Sequence, residues 1–152
     1  MAEIRTQPLF TIRLRTDPPQ VIGRTPMGQR MVVPVVSGTF EGARLRGTVE
    51  KSGSDWIFQR ADGALALDVR LVLKTEDGAL IGLTYRGFRH GPAETIARLG
   101  RGEPVDPSEY YFRTAVFFET AADQYDWLNR VVAIGTGHRL PEGPVYEVFE
   151  VL

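Results

Sequence analysis

Cysteine is absent from this chain of 152 residues. Its absence excludes disulfide bonds, thiolate zinc sites, iron–sulfur clusters and a cysteine nucleophile. Small secreted domains often depend on disulfides, so a chain without cysteine favours the cytoplasm. The N-terminal stretch, residues 1–16, is also too charged and interrupted to resemble a signal peptide. We therefore expect a cytoplasmic protein.

The numbers of basic and acidic residues are nearly equal, and the sequence has no long apolar run. The chain has 18 lysines and arginines against 19 aspartates and glutamates, which gives a formal net charge of -1. Such a balance creates no global field that would attract nucleic acid or an anionic membrane. No apolar run approaches the roughly 20 residues that a membrane-spanning helix needs. We expect neither a nucleic-acid partner nor a membrane.

Histidine is scarce, and the sequence motifs of several common chemistries are not present. His90 and His138 lie far apart in the sequence and show no metal-ligand spacing. There is no Gly-x-Ser-x-Gly motif for a nucleophilic serine. No glycine-rich loop precedes a helix in the way that phosphate-binding loops do. We expect no metal site and no cofactor.

The dominant positive signal is an alternation of apolar and polar residues with a period of two. It is clearest over residues 65–74 and recurs over residues 10–15 and 43–50, as expected for half-buried strands. Asp-Gly pairs after Ala61 and Glu76 predict two hairpin turns. Pro34 cannot donate a ladder hydrogen bond, which places its strand at an edge or at a bulge.

Helical signals are confined to two short segments. Pro92 and the residues up to Gly100 predict one short helix within a long connection, and Asp123 to Asn129 predicts a helical turn. Eight or nine short strands separated by turns are typical of an antiparallel meander that closes on itself. We predict a single all-β domain over residues 1–152: a closed antiparallel β-barrel of about eight strands with one or two short helices. A two-sheet sandwich is the alternative.

Several short segments, in order along the chain, resemble the uncharacterised bacterial and fungal family DUF3237. The resemblance implies a small β-barrel that assembles as a homodimer or a larger oligomer. It implies no activity and brings no catalytic residues. The segments that carry it are Gly38–Gly42, Leu45–Gly47, Gly53–Trp56, Thr75–Ile81, Tyr111–Thr114, Phe118–Thr120, Tyr125–Arg130 and Val145–Val148.

The strand over residues 110–120 carries aromatic side chains on both faces. Phe112 and Phe118 point one way, whereas Tyr111 and Phe117 point the other way. Two apolar environments are therefore required: the barrel interior, and a partner subunit, the helix or a ligand cavity. Because two-fold dimers are the commonest symmetric assembly, we predict a homodimer.

Candidate site residues are polar groups that stand beside aromatic ones. An aromatic wall with a guanidinium and a carboxylate suits an organic ligand that is anionic or aromatic. A mid-strand arginine such as Arg113 needs a carboxylate partner, Asp55 or Asp68, or an anionic ligand. The predicted ligand-binding residues are Trp56, Tyr85, Arg86, Tyr111, Arg113, Trp127 and Asn129.

Three functions remain open from the sequence. The first is a barrel that binds a small organic molecule. The second is a cofactor-independent enzyme that isomerises, cyclises or cleaves its substrate by acid–base chemistry. In that enzyme Glu119 or Asp55 would transfer the proton, and Arg113 or Arg86 would stabilise charge. The third is a structural or interaction protein without a ligand.

Overall fold

The computed structural model describes residues 2–152, which form ten strands, one α-helix and two 3₁₀ helices. The strands are β1 (Thr6–Thr16), β2 (Gln20–Thr25), β3 (Gly28–Glu41), β4 (Arg46–Val49), β5 (Gly53–Gln59), β6 (Leu65–Thr75), β7 (Leu80–His90), β8 (Tyr111–Glu119), β9 (Ala133–Leu140) and β10 (Gly143–Val151). The helices are α1 (Ala93–Gly100) and the 3₁₀ helices Pro107–Glu109 and Asp123–Arg130. No helix within residues 2–152 is long and apolar enough to cross a membrane.

The strands form one antiparallel sheet that closes into a barrel. From β6 the sheet runs through β7, β8, β9 and β10 to β1. β3 closes the barrel. It pairs with β1 along one edge and with β4 and β5 along the other, and β4 and β5 in turn pair with β6. β4 and β5 follow each other along one edge of β3 and together occupy one strand position in the barrel. β1 and β2 do the same along the opposite edge of β3, so the ten strands occupy eight positions. The predicted barrel of about eight strands is confirmed.

Pro34 lies inside a long strand that is paired on both sides. Along one side of β3, the partner changes from β2, which pairs as far as Val32, to β1, which begins pairing at Val35. Pro34 falls in this gap, next to a register shift in β1, and its carbonyl accepts the N–H of Asp17 at 3.0 Å. A residue without an N–H is thus placed where the ladder is interrupted.

The two Asp-Gly hairpins have the predicted form. Gly63 and Gly78 both adopt a φ of 88°, a conformation that side chains with a Cβ rarely reach. Asp62 accepts the N–H of Ala64 at 3.1 Å, which is the usual way in which an aspartate supports its own turn. These turns fix the register of β6 against its neighbours.

One end of the barrel is filled and the other is open. Leu73 and Ile81 have no solvent exposure, and they belong to an apolar core that fills the barrel near the β6–β7 turn. The 3₁₀ helix Asp123–Arg130 covers this end: Leu128 is fully buried, and the Tyr125 hydroxyl donates to Asp77 of the turn at 3.1 Å. The opposite end holds a cavity.

Candidate functional site

A cavity of about 200 Å³ occupies the open end of the barrel. Its wall combines apolar side chains with five polar ones that project inward from β5, β7, β9 and β10. Asp17 stands at the mouth, where it is exposed to solvent. The inward polar residues are Asp55, Tyr85, Arg89, Arg139 and Tyr146, and apolar neighbours include Leu14, Val33, Ile57, Leu67 and Phe112.

Strand periodicity explains which polar residues face the cavity. Inward positions on β7 are every second residue, so buried Ile81 and Leu83 are followed by Tyr85 and then by Arg89. The same alternation on β9 places Arg139 inside, two residues beyond Gly137. The apolar pattern therefore ends where the polar wall begins.

Gly137 is an inward position that has to remain without a side chain. A Cβ on this residue would lie 2.5 Å from the ring of Phe112, which is far inside van der Waals contact. The Phe112 ring instead packs edge-on against Tyr146, with centroids 5.2 Å apart. The glycine thus lets an aromatic ring form part of the cavity wall.

The ionised form of the Asp55 carboxyl group is disfavoured by burial. One carboxylate oxygen accepts the backbone N–H of Asp68 at 3.1 Å, where the ladder between β5 and β6 is interrupted. Burial raises the pKa of Asp55 from 3.8 to about 6, although the Asp68 N–H and the charges of Arg89 and Arg139 act in the opposite direction. This carboxyl therefore exchanges its proton close to neutral pH.

Two tyrosines form a buried pair beside this acid. The hydroxyls of Tyr85 and Tyr146 are 3.2 Å apart, and their ring centroids are 5.0 Å apart. Burial raises the pKa of both phenols, so both stay protonated at neutral pH. The mutual hydrogen bond uses one of their two protons. The other O–H has no acceptor among residues 2–152 and is free to donate into the cavity.

Two arginines supply positive charge without a protein counter-ion. Within residues 2–152 neither Arg89 nor Arg139 has a carboxylate oxygen within 4.0 Å. The Arg89 Nε is buried and has no hydrogen-bond partner there, while its guanidinium lies 5.7 Å from the centroid of the Phe112 ring. Burial and repulsion by Arg139 lower the pKa of Arg89. A buried donor without a partner is costly, so its retention calls for an explanation.

Only two of the residues predicted from the sequence face the cavity, namely Asp55 and Tyr85. Trp56, Arg86, Tyr111, Arg113 and Glu119 point away from the barrel interior and are exposed. Arg113 is not buried as the sequence argument supposed: its guanidinium donates to the Phe112 carbonyl at 2.9 Å and lies beside the Tyr111 ring on the outer surface.

The remaining two predicted residues lie at the filled end. Trp127 packs against the core there, with the Arg44 guanidinium 4.1 Å from its ring. The Asn129 side chain accepts the backbone N–H of Thr120 at 2.8 Å and donates to its carbonyl, which ties the 3₁₀ helix to β8. Both are therefore placed to hold this helix in position.

Sequence reasoning missed three residues of the cavity: Arg89, Arg139 and Tyr146. The signal for Arg89 was present, because it has the same strand parity as Leu83 and Tyr85. For Arg139 and Tyr146 the local sequence gives a weaker signal, since glycines and prolines interrupt the alternation around them. Within residues 2–152 no group of three or more acidic or histidine side chains is arranged to hold a metal ion.

A family profile described as "Protein of unknown function (DUF3237)" matches residues 4–151. The chain belongs to the DUF3237 family. A conserved protein of unknown function from Rhodopseudomonas palustris is similar in structure, with 33% identity, a TM-score of 0.95 and full coverage of both chains. A β-barrel-like protein from Acinetobacter baumannii is 37% identical, has a TM-score of 0.87, and is matched over 98% of its length by all of this chain.

One relative of this DUF3237 chain has a named activity. It is a hydroalkoxylation enzyme from the fungus Penicillium herquei, 25% identical over 143 residues, which are 94% of this chain and 80% of the fungal protein.

Proposed function

We propose that this DUF3237 protein is an enzyme that uses its own side chains as acid and base to isomerise or cyclise a small oxygen-bearing organic substrate. The observation that carries this proposal is the position of Asp55, a carboxyl group that faces a cavity also lined by two tyrosines and two arginines. A general acid or base is most effective when its pKa lies near the working pH. The raised pKa of Asp55 meets this condition.

The proposed reaction class is the addition of an O–H group across a carbon–carbon double bond within one substrate molecule. Protonated Asp55 gives its proton to one alkene carbon, and the π electrons form the new C–H bond. The substrate hydroxyl oxygen then bonds to the adjacent carbon, and the hydroxyl proton returns to the Asp55 carboxylate. Product and substrate have the same atoms, so no electron donor or acceptor is needed. The named activity of the fungal relative supports this class.

A purely carrier function fits the cavity less well. A carrier for an apolar compound needs an apolar wall with few polar groups. Here, by contrast, the wall holds an acid that is poised to ionise, an unpartnered Arg89 Nε–H and a free tyrosine O–H. Polar groups of this kind are costly to keep in a binding site unless they meet charge on the ligand or in the transition state.

Incubation in D₂O tests the proposal. We expect at least one member of a panel of hydroxy-enones and 2-alkenylphenols to be converted to an isomer. The isomer gains one deuterium on carbon, which mass spectrometry and NMR detect. Asp123→Asn, which removes an exposed carboxylate at the filled end of the barrel, should react like the wild type. Deuterium incorporation that persists unchanged in Asp55→Asn would contradict the assignment of the acid.

We also propose that two copies of the chain pair through the outer face of β7, β8 and β9. Phe117 is 50% exposed there, and Phe88 and Ile134 are also exposed. A two-fold axis buries the same apolar patch of both subunits at once, and two-fold dimers are the commonest symmetric assembly. We expect a dimer by light scattering at micromolar concentration, and dissociation in Phe117→Asp but not in Trp56→Asp. A monomeric wild type would refute the proposal.

A further inference from the structure

The donors that line the cavity exceed its acceptors. Arg89 and Arg139 contribute two guanidinium groups without ion pairs, and the Tyr85–Tyr146 pair leaves one O–H unused. Asp55, the acidic residue that points into the barrel, already accepts the Asp68 N–H, and Asp17 stands at the exposed mouth. The cavity thus presents positive charge and hydrogen-bond donors to whatever fills it.

We propose that the substrate binds through an oxyanion, a phenolate, enolate or carboxylate oxygen, which accepts the Arg89 Nε–H and lies between Arg89, Arg139 and the free tyrosine O–H. This inference rests on the proposed function in that it names the substrate group which the Asp55 chemistry acts beside. An oxyanion satisfies the buried Nε–H and neutralises the excess charge in one step. Hydrogen bonds to a charged acceptor are also roughly twice as strong as neutral ones.

The dimensions of the cavity restrict the rest of the ligand. At about 200 Å³ it is smaller than the roughly 300 to 1,000 Å³ typical of sites for drug-sized molecules. It exceeds the roughly 150 Å³ apolar cavity that is known to hold one benzene molecule. The cavity therefore accommodates a single ring with its oxygen substituent. The Phe112 ring in its wall offers an aromatic surface, and any larger part of the ligand extends through the mouth.

Binding of 4-nitrophenol tests this inference, because the visible absorption of this probe reports whether it is ionised. We expect the wild type to bind the probe as phenolate and to raise the ionised fraction at a fixed pH. We expect Arg89→Met and Arg139→Met to weaken binding at least tenfold. The matched control Arg46→Met removes an exposed arginine from the outside of β4, away from the proposed dimer face, and should bind like the wild type. Nitrobenzene, which has no oxyanion, should bind weakly to every variant.

Stability measurements separate a ligand-binding role of Arg89 from a structural one. A buried arginine without a partner costs free energy, so we expect Arg89→Met to melt at the same temperature as the wild type or higher. A lower melting temperature with unchanged 4-nitrophenol affinity would overturn the inference. If Arg89→Met fails to fold, Arg89→Lys is measured instead, because lysine keeps the positive charge but lacks the Nε–H. Full 4-nitrophenol affinity in Arg89→Lys would overturn the inference, whereas a tenfold loss would support it.

The test also separates this inference from the proposed function. Asp55→Asn should still bind 4-nitrophenolate, because removal of a nearby negative charge favours an anion. Arg89-dependent binding without turnover of any compound in the D₂O panel would leave the oxyanion site in place and refute the enzyme. Conversely, turnover that depends on Asp55, together with phenolate binding that is unchanged in both arginine variants, would support the enzyme and refute the oxyanion site.

Discussion

Asp55→Asn is expected to lower turnover by about 10² to 10⁴-fold, the usual contribution of a general acid or base. The amide has nearly the same shape as the carboxyl group, and its oxygen can still accept the Asp68 N–H. It has no proton to exchange near neutral pH. The loss should therefore appear mainly in kcat, with KM little changed, because the substrate oxyanion is held by other groups. Steady-state kinetics on the substrate found by the D₂O screen measure both quantities.

The same substitution should stabilise the protein at neutral and alkaline pH. The folded-state pKa of Asp55 is raised from 3.8 to about 6, so folding disfavours its ionised form. The penalty is absent below pH 4, develops between pH 4 and 6 as the unfolded chain loses its proton first, and is complete above pH 6. Since a tenfold change in an acidity constant equals about 1.4 kcal/mol, the full penalty is about 2 to 3 kcal/mol.

Urea unfolding at pH 4 and pH 8 measures this difference. We expect Asp55→Asn and the wild type to have similar free energies of unfolding at pH 4, and the variant to be more stable at pH 8. The groups that act on the Asp55 carboxyl are the Asp68 N–H, Arg89, the Asp68 carboxylate and Arg139, all of which stay in place. The control Asp123→Asn, which removes an exposed carboxylate at the filled end of the barrel, should show no comparable gain. A variant that is less stable than the wild type at pH 8 would show that the charge of Asp55 supports the fold.

The fold was predictable because its main signals are local. Alternation over residues 65–74 and the Asp-Gly turns at Gly63 and Gly78 specify strands and hairpins without reference to the rest of the chain. Barrel closure follows from the number of strands, since a closed sheet leaves no exposed edge. The sequence could not show that β4 and β5 occupy one strand position in the barrel, because this depends on pairing between strands that are distant in sequence.

The candidate site was only half predictable, for a different reason. Alternation shows which residues share a face, but it does not show which face encloses a cavity. The aromatic side chains on both faces of β8 indicated an apolar environment on each side of that strand. They gave no information about the polar wall of the cavity, which comes from β5, β7, β9 and β10. Asp55 and Tyr85 were found because each stands at the end of a local pattern. Arg139 required knowledge that β9 and β10 bring it opposite β5.

Phe112→Ala is expected to destabilise the protein by about 3 to 5 kcal/mol, the usual cost of removing a buried phenylalanine side chain. The residue is 2% exposed. Its ring packs against Tyr146, fills the space that Gly137 leaves, and lies beneath the Arg89 guanidinium. Removal leaves a void in the wall of the cavity and releases both neighbours. Urea unfolding measures the loss, which a domain stabilised by roughly 5 to 15 kcal/mol can survive.

The matched control is Phe40→Ala at the filled end of the barrel. Phe40 is 1% exposed and packs edge-on against Phe10, with centroids 5.6 Å apart, so its removal should cost a similar free energy. The two variants should differ in ligand binding. We expect Phe112→Ala to weaken 4-nitrophenolate binding at least tenfold, because Arg89 loses the ring that orients it. Phe40→Ala should bind like the wild type. Equal affinity in both variants would show that Phe112 is part of the core alone and that the ligand does not contact this ring.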